Sequence, residues 1–347
     1  MRIKTLLASL TLAATSLVAG AESNGNPPLT LVFTGDIMMG TTYPTVRLPK
    51  NDGRNLFTDV APLLSKADIA AGNLEGAMCE GGKPRKKESS LTYAFRMPTR
   101  YGALLKRAGF DFMSLANNHS LDFGSAGAEQ TIVTLRNNGI KPAGIRGLCE
   151  TAIIEKGGIK YGFCAFGHNH YTPSISNTDK VRQLLSGLRD KVDVLIVSFH
   201  GGAEGKDFGR VPQGKEMFHG ENRGDVRKFA HLCVDEGADV VYGHGPHVVR
   251  ALELYKGRLI AYSLGNFCTP CGISVAGTGG HAPVLEVRVS RKGRFLDGRI
   301  HSFLQRYGTG PKRDGKHTAA LQIRRLTQTD FPHTQLNIKP DGAIFRK

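Results

Sequence analysis

The sequence LTLVFTGDIMMG, residues 29–40, begins with a short run of apolar and β-branched residues and then turns through Gly35 to Asp36. A run of this length, ended by a turn signal, predicts a buried β-strand. The same arrangement recurs along the chain, where apolar runs are followed by Gly-, Asn- or His-rich turns and then by segments with helical periodicity. This alternation predicts an α/β domain.

The elements predicted by this pattern cover most of the chain. The predicted strands are residues 29–33, 68–71, 112–116, 192–199, 238–242 and 259–263. The predicted helices are residues 56–67, 100–108, 126–137, 180–188 and 225–236. Residues 152–155 and 161–165 flank a Lys-Gly-Gly turn and predict a hairpin. From Ala282 onward, shorter strands are predicted at 284–290, 299–305, 321–326 and 336–338, and these are expected to complete a second sheet.

The first 21 residues have the pattern of a secretory signal peptide. Arg2 and Lys4 supply a positive start, residues 6–18 are mostly apolar, and Ala19-Gly20-Ala21 provides a cleavage site. The apolar stretch is shorter than the roughly 20 residues that a transmembrane helix needs. We therefore expect an exported protein, periplasmic or secreted, that is soluble after cleavage.

The chain of 347 residues has 46 Lys and Arg against 30 Asp and Glu, a formal charge of +16. Loss of Arg2 and Lys4 with the signal peptide would leave +14. Such a charge favours an anionic partner. Export argues against nucleic acid, and the sequence contains no nucleic-acid-binding motif.

Six cysteines would enter a compartment that permits disulfides. Cys164 and Cys233 lie in apolar or helical segments and are interpreted as buried thiols. The better disulfide candidates lie near turns, and they are Cys79, Cys149, Cys268 and Cys271. Cys268 and Cys271 could also form a redox pair, although a single CxxC more often has a structural role.

Nearly every apolar run ends in a carboxylate, an amide or a histidine. These residues are Asp36, Asn73, Glu75, Asn117, Asn118, His119, Asp122, His200, Glu204, His244, His247 and Asn266. Ligands bind at the carboxyl ends of strands in α/β sheets, so we expect these side chains to share one rim. Imidazole and carboxylate groups suit divalent Zn, Mn or Fe. Taken singly, Asp36 could cap a helix, and Asn73, Asn117 and Asn266 could each hold a turn.

Six motifs occur in order along the chain: GDIMMG at 35–40, GNLE at 72–75, ANNHSLDFG at 116–124, HGGAE at 200–204, GHGPH at 243–247 and YSLGNF at 262–267. They resemble those of the CapA capsule-synthesis (poly-γ-glutamate) family. That family is similar in turn to the calcineurin-like metallophosphoesterases, which implies a four-layer α/β/β/α sandwich and a dinuclear metal centre. The implied organisation is a linker at 22–28, a metal-binding α/β domain at 29–290 and a basic closing segment at 291–347.

The resemblance also implies roles for individual residues. One divalent metal ion would be held by Glu75, Asn118, His200 and His244. The other would be held by Asp36, Glu75 and His247, with Glu75 as the bridge. His119 matches the catalytic histidine, which protonates a leaving group or stabilises charge, and Asp122 would orient it.

The sequence departs from the phosphoesterase pattern at two positions. Met38 stands where a phosphoesterase has a histidine ligand, and Glu75 replaces the bridging aspartate. The metal site that contains Asp36 therefore has one ligand fewer. Glu204 could fill the gap, with Asn73 and Asn266 as further candidates, or one of the two ions could bind weakly.

The function implied by the resemblance is an exported metal-dependent hydrolase or transferase that acts on a phosphoryl or amide group. It would serve the synthesis, export or anchoring of poly-γ-glutamate or another anionic surface polymer, in possible contact with membrane-bound synthesis machinery. A small anionic substrate is a further candidate. The alternative is a non-catalytic accessory protein that binds the polymer. A thiol oxidoreductase that uses Cys268 and Cys271 is the third hypothesis.

Two clusters of positive charge are visible. The first basic cluster follows Glu75 closely and contains Lys83, Arg85, Lys86 and Lys87. It could steer a polyanion toward the metal rim or simply form a solvated surface. The second basic cluster is interpreted as solvated surface and contains Arg306, Lys312, Arg313 and Lys316.

Overall fold

The computed structural model describes residues 27–85 and 93–347. The predicted signal peptide, most of the predicted linker and the residues Lys86 and Lys87 lie outside the described residues. No helix in the described part of the chain is long and apolar enough to span a membrane.

The described residues form 21 strands and six α-helices. The strands are β1 (Leu29–Ile37), β2 (Ile69–Leu74), β3 (Ala77–Met78), β4 (Arg96–Met97), β5 (Phe112–Ser114), β6 (Lys141–Ala143), β7 (Thr151–Lys156), β8 (Ile159–Gly167), β9 (Val194–His200), β10 (Met217–Phe218), β11 (Glu221–Asn222), β12 (Val240–His244), β13 (Leu252–Tyr255), β14 (Arg258–Ala261), β15 (Asn266–Cys268), β16 (Val284–Val289), β17 (Phe295–His301), β18 (Phe303–Leu304), β19 (Lys312–Arg313), β20 (Leu336–Ile338) and β21 (Ala343–Arg346). The helices are α1 (Ala61–Leu64), α2 (Gly102–Ala108), α3 (Gly124–Asn137), α4 (Thr178–Arg189), α5 (Val226–Asp235) and α6 (Thr318–Asp330).

Two large sheets form the centre of the fold. Nine of the described strands make the first sheet in the order β20-β21-β17-β16-β1-β2-β5-β6, with β15 also paired to β1. Six make the second sheet in the order β13-β14-β12-β9-β8-β7. Strands β1, β2, β5 and β6 are parallel to one another, and so are β8, β9, β12 and β14. Within each parallel set, the carboxyl ends therefore lie at one edge.

The two sheets pack face to face through aromatic side chains. The rings of Phe112 and Phe163 stack with centroids 4.0 Å apart, and those of Phe33 and Tyr242 lie 4.6 Å apart. Successive residues of β1 face opposite sides because side chains alternate along a strand. Leu31 and Phe33 join the core between the sheets, whereas Val32 joins the core under the helices.

Helices cover both outer faces. Helices α1, α2 and α3 pack against the first sheet. Helices α4 and α5 pack against the second, where Phe229 of α5 contacts the rings of Phe166 and Phe199. Helix α6 spans from one sheet to the other, and the backbone N–H of Leu252 in β13 donates to Thr327 Oγ1 at 2.9 Å. The predicted four-layer α/β/β/α sandwich is confirmed.

Three sequence-based expectations about the fold are wrong in detail. The closing strands do not complete a second sheet, because β16, β17, β20 and β21 extend the first sheet beyond β1. The strand predicted at 321–326 is part of α6. Of the helix predicted at 56–67, only Ala61–Leu64 is α-helical, and turns occupy the rest. The 152–165 hairpin forms as β7 and β8.

The cysteines also differ from expectation. All six lie in the described residues, and each is a buried free thiol. The four disulfide candidates near turns are therefore unpaired in the structure. Cys268 is fully buried and Cys271 is 6% exposed, and burial raises the pKa of both thiols. Burial and a raised pKa both disfavour a reactive thiolate, which leaves the oxidoreductase hypothesis without structural support.

We expect Phe112→Ala to destabilise the protein by about 3–5 kcal/mol, because it leaves a cavity between the two sheets. Unfolding in urea, followed by circular dichroism since the chain has no Trp, measures the change. Val133→Ala is the matched control on a 52% exposed helix position, with an expected change within about 0.5 kcal/mol. Equal effects of the two substitutions would contradict the packing described here.

Candidate functional site

The polar strand ends from both sheets converge as the sequence predicts. In the second sheet, His200 at the end of β9 lies directly across from His244 at the end of β12. In the first sheet, Asp36 of β1 lies across from Asn73 of β2 on one side and Asn266 of β15 on the other. Asn266 thus begins a short strand rather than ending one.

A glycine contact brings β1 close to the segment before β15. The Asp36 N–H donates to Gly265 O at 2.9 Å. A Cβ added to Gly35 would lie 2.0 Å from Gly265 O, well inside the limit for real contacts. Only glycine fits at residue 35 without moving the backbone, and this close approach sets the position of Asp36.

Amide side chains join the two carboxylates of the first sheet. Asn73 Nδ2 donates to Asp36 Oδ1 at 2.8 Å and to Glu75 Oε2 at 2.6 Å. Asn117 Nδ2 donates to Asn73 Oδ1 at 2.9 Å, and Asn117 Oδ1 accepts the backbone N–H of His119 at 3.0 Å. Asn73 and Asn117 therefore orient the site, which their interpretation as turn residues did not predict.

Three histidines approach these carboxylates. His200 Nε2 lies 3.4 Å from Glu75 Oε1, and His244 Nδ1 lies 3.3 Å from Asp36 Oδ1. His247 Nδ1 lies 3.0 Å from Asp36 Oδ2 and 3.1 Å from Asn266 Oδ1. The carboxylates belong to the first sheet, whereas the histidines lie on or directly after strands of the second.

Burial dominates the electrostatics of the site. It raises the pKa of Glu75 to about 7, with a further contribution from the charge of Asp36. It lowers the pKa of His200 to about 3. Burial would also lower the pKa of His247, but the hydrogen bond and charge of Asp36 outweigh it and raise that pKa to about 10. Burial opposes ionisation of Asp36 too, yet His244 and His247 hold its pKa well below the usual range.

Several buried polar atoms at this rim have no hydrogen-bond partner among the described residues. They are Glu75 Oε1, Asn118 Oδ1 and both ring nitrogens of His200 and His244. An unsatisfied buried polar atom costs about 1–3 kcal/mol, so a cluster of them calls for an explanation. All six atoms belong to residues predicted as metal ligands, and N and O donors of these types fit a divalent ion. Within the described residues, however, no group of three or more His, Cys, Asp or Glu side chains is arranged to hold a metal ion.

His119 and Asp122 form a buried pair. His119 Nδ1 lies 2.9 Å from Asp122 Oδ2, and the same oxygen accepts the backbone N–H of Phe95 at 2.8 Å. The Phe95 ring packs on the His119 imidazole with centroids 4.5 Å apart. The carboxylate and the aromatic ring together fix the orientation of the imidazole.

Glu204 and His168 lie next to the histidines in ways the sequence did not indicate. Glu204 Oε1 accepts a hydrogen bond from Arg223 Nη1 at 2.6 Å, so an arginine already engages the carboxylate expected to fill the ligand gap. The His168 side chain is only 3% exposed. Its ring lies 5.7 Å from that of His200, and burial lowers the pKa of His168 to about 3.

A buried ion pair anchors the loop that follows His200. Arg250 is fully buried, and its guanidinium donates to Glu216 Oε1 at 2.8 Å and to Glu216 Oε2 at 2.7 Å. Glu216 Oε2 also accepts the backbone N–H of Ala203 at 3.0 Å. Because the partners are far apart in sequence, no local pattern could have predicted this anchor.

A comparison with protein families decides the family. Residues 30–270, which contain all six motifs, match the model described as "Bacterial capsule synthesis protein PGA_cap". The chain belongs to this family of bacterial capsule synthesis proteins. The resemblance carried by the six motifs is thereby confirmed.

Two curated relatives are named for capsule or PGA biosynthesis. The capsule biosynthesis protein CapA of Bacillus anthracis is 25% identical over 280 residues, which cover 76% of this chain and 65% of the relative. The PGA biosynthesis protein CapA of Bacillus subtilis (strain 168) is 27% identical over 254 residues, covering 69% of this chain and 63% of the relative. The chain thus spans just under two thirds of these relatives.

Solved structures align with most of the chain. A hypothetical protein from Thermus thermophilus aligns with 80% of this chain and 100% of its own, at 18% identity and a TM-score of 0.51. This likeness shows the fold alone. A calcineurin-like phosphoesterase from Bacillus subtilis aligns with 88% of this chain and 99% of its own, at 14% identity and a TM-score of 0.44.

We expect Arg250→Met to destabilise the protein by about 3–5 kcal/mol, because it leaves the Glu216 carboxylate buried without its partner. The double variant Arg250→Met/Glu216→Gln should lose less than the sum of the two single losses, since it leaves no uncompensated charge. Denaturant unfolding of the four proteins of this cycle measures the coupling. Strictly additive losses would rule out a direct interaction.

Proposed function

We propose that the protein is an exported, metal-dependent hydrolase or transferase that acts on an anionic surface polymer. The observation that carries this proposal is the set of buried side-chain atoms on Glu75, His200 and His244 that form no hydrogen bond among the described residues. They lie at the same strand ends as the oriented pair of His119 and Asp122. A purely structural rim would have little reason to leave these atoms without partners.

The residues that would hold metal are those the family resemblance implies. Glu75, Asn118, His200 and His244 would hold one ion, and Asp36, Glu75 and His247 the other. A divalent ion bound there would act as a Lewis acid and lower the pKa of bound water. Mn, Zn and Fe all accept this mixture of carboxylate, imidazole and amide donors.

The chain's own contribution to chemistry lies with His119. In this role Asp122 accepts a hydrogen bond from Nδ1–H of His119. The bond fixes the tautomer of the imidazole and stabilises the ring when it carries a second proton. The opposite ring nitrogen, Nε2, can then donate a proton to the leaving group. Phe95 covers one face of the ring and limits its rotation. This division of roles assigns proton transfer to His119 and orientation to Asp122 and Phe95.

The anionic character of the substrate follows from charge. The formal charge of the chain is +16. In the described part of the first basic cluster, Lys83 and Arg85 are exposed. The backbone N–H of Arg85 donates to Asp122 O at 2.8 Å, which ties this cluster to the His119–Asp122 pair. A positive surface beside the site would favour capture of a polyanion.

A second candidate function is a non-catalytic accessory protein that binds the polymer. The observation that favours it is that no described group of His, Cys, Asp and Glu side chains is arranged to hold a metal ion. The two candidates differ in turnover and in metal content, so the same experiments separate them.

We expect Glu75→Ala/His200→Ala to abolish metal binding, because it removes the proposed bridging carboxylate and an unpartnered imidazole. Purified wild-type protein should contain Mn, Zn or Fe by elemental analysis. Saturating ion should stabilise it by about 2.7 kcal/mol at 100 times the Kd. His333→Ala, at an exposed position, is the control and should behave as wild type. Unchanged metal content in the double variant would refute the metal site.

We expect His119→Gln to lower kcat by about 10²- to 10⁴-fold, because it removes the general acid. Metal content should be retained. The assay uses a panel of phosphomonoesters, phosphodiesters and γ-glutamyl peptides. If the metal-loaded wild type turns over no member of the panel yet binds polymer in a salt-sensitive way, the accessory function replaces the enzyme.

A further inference from the structure

A cavity of about 590 Å³ lies beside the candidate site. It is bounded by the loop after β15 and by residues from three other parts of the chain. The lining residues that matter here are Arg47, Tyr93, Ser274, Gln305, Arg306 and Tyr307. No carboxylate is among the described residues that line it, so its charged groups are all positive.

The polar groups of this cavity are incompletely satisfied. Arg47 and Arg306 form no ion pair with any carboxylate in residues 27–85 and 93–347, and Arg47 Nε is buried without a hydrogen-bond partner there. Gln305 is 4% exposed, and its Oε1 accepts the backbone N–H of Thr269 at 2.6 Å. Its Nε2 has no partner among the described residues. A buried amide donor and two guanidinium groups thus line the same space, which suits an anion.

The cavity walls continue into the candidate site on two sides. On one side, Asn266 Nδ2 donates to Ser274 O at 3.2 Å, and Asn266 Oδ1 lies 3.1 Å from His247 Nδ1. On the other, Tyr93 stacks on Phe95 with ring centroids 6.3 Å apart. Phe95 in turn packs on His119. One residue on each side, Asn266 or Phe95, therefore lies between the cavity wall and His247 or His119.

We propose that this cavity binds the carboxylate groups of a polycarboxylate chain whose reacting bond lies at the candidate site. The proposal rests on the function proposed above and adds a substrate subsite to it. Planar guanidinium groups match carboxylates in a bidentate geometry. The rings of Tyr93 and Tyr307, which are 52% and 67% exposed, offer apolar surface for alkyl segments between carboxylates. A polyphosphate chain has no such segments.

The interpretation of Arg306 changes accordingly. The sequence placed it in a solvated basic surface together with Lys312 and Arg313. In the structure, Lys312 Nζ pairs with Asp59 Oδ1 at 2.9 Å, whereas Arg306 lines the cavity. One member of the second basic cluster is thus neutralised by a partner, and another faces the proposed subsite.

The test is direct binding of a fluorescein-labelled decamer of γ-linked glutamate, measured by anisotropy. Arg47→Gln/Arg306→Gln should weaken binding about tenfold or more, since it removes the charge-assisted hydrogen bonds to the carboxylates. Arg107→Gln/Arg291→Gln removes the same charge from exposed positions outside the cavity. It should weaken binding less than about threefold. Arg306 is exposed, so Arg306→Gln alone should fold normally. We expect this single variant to weaken decamer binding about threefold or more.

Competition tests the chemistry of the ligand. An unlabelled γ-linked glutamate decamer should displace the probe. The same decamer with its α-carboxylates converted to carboxamides should not, and nor should a polyphosphate of equal length. Equal weakening by the two double variants would overturn the subsite, because it would reduce binding to general charge attraction. Displacement by polyphosphate as effective as by the glutamate decamer would overturn the carboxylate assignment.

The two proposals can fail separately. Turnover of a small substrate depends on the candidate site, whereas decamer binding depends on Arg47 and Arg306. If wild type shows no turnover but the cavity variants still lose binding selectively, the hydrolase is rejected and the subsite stands. If wild type turns over a small substrate and substitution of Arg47 and Arg306 leaves decamer binding unchanged, the subsite alone is rejected.

Discussion

Two carboxylates are fully buried at the first sheet, Asp36 on β1 and Glu75 directly after the neighbouring strand β2. The rest of the site depends on how their charge is offset. Within that sheet, the link between them is the neutral amide of Asn73. The histidines that contact them come from β9, β12 and the turn after β12, all in or next to the second sheet. The histidines of the second sheet therefore offset the carboxylate charge of the first sheet. The aromatic contacts between the sheets hold these two groups of residues in position.

Much of the fold could be predicted from local patterns. Buried parallel strands such as β1, β9 and β12 are continuous apolar runs, and the polar residue that ends each run marks the rim. The prediction failed where the signal depends on pairing partners. Leu321, Ile323 and Leu326 suit a short strand, yet the buried residues of α6, which include Ala319, Ala320 and Thr327, follow helical spacing. No local sequence pattern predicts that β16 pairs with β1.

The candidate site, like the fold, could be predicted from the sequence only in part. The motifs identified many of the residues whose side chains converge, because most of them stand at the end of a strand or in the turn that follows it. They did not show which groups orient these side chains, since most of those contacts join distant segments. Asn73 acts through Asp36 and Glu75, and Arg250 acts through Glu216, so their roles appear only when both partners are placed. Arg306 is a similar case, because composition marks it as a basic surface residue and only its position in the same cavity as Arg47 suggests a ligand.

The pairing of β1 with β16 has a consequence for how the chain reaches its native state. Leu29 pairs with Val289, so one edge of the strand that carries Asp36 stays open until nearly the whole chain is available. Contacts this remote in sequence close slowly because the entropy of a long loop is lost before the pairing forms. During that interval β1 presents an apolar, unpaired edge, which makes the early chain prone to aggregation and a natural client for a holding chaperone.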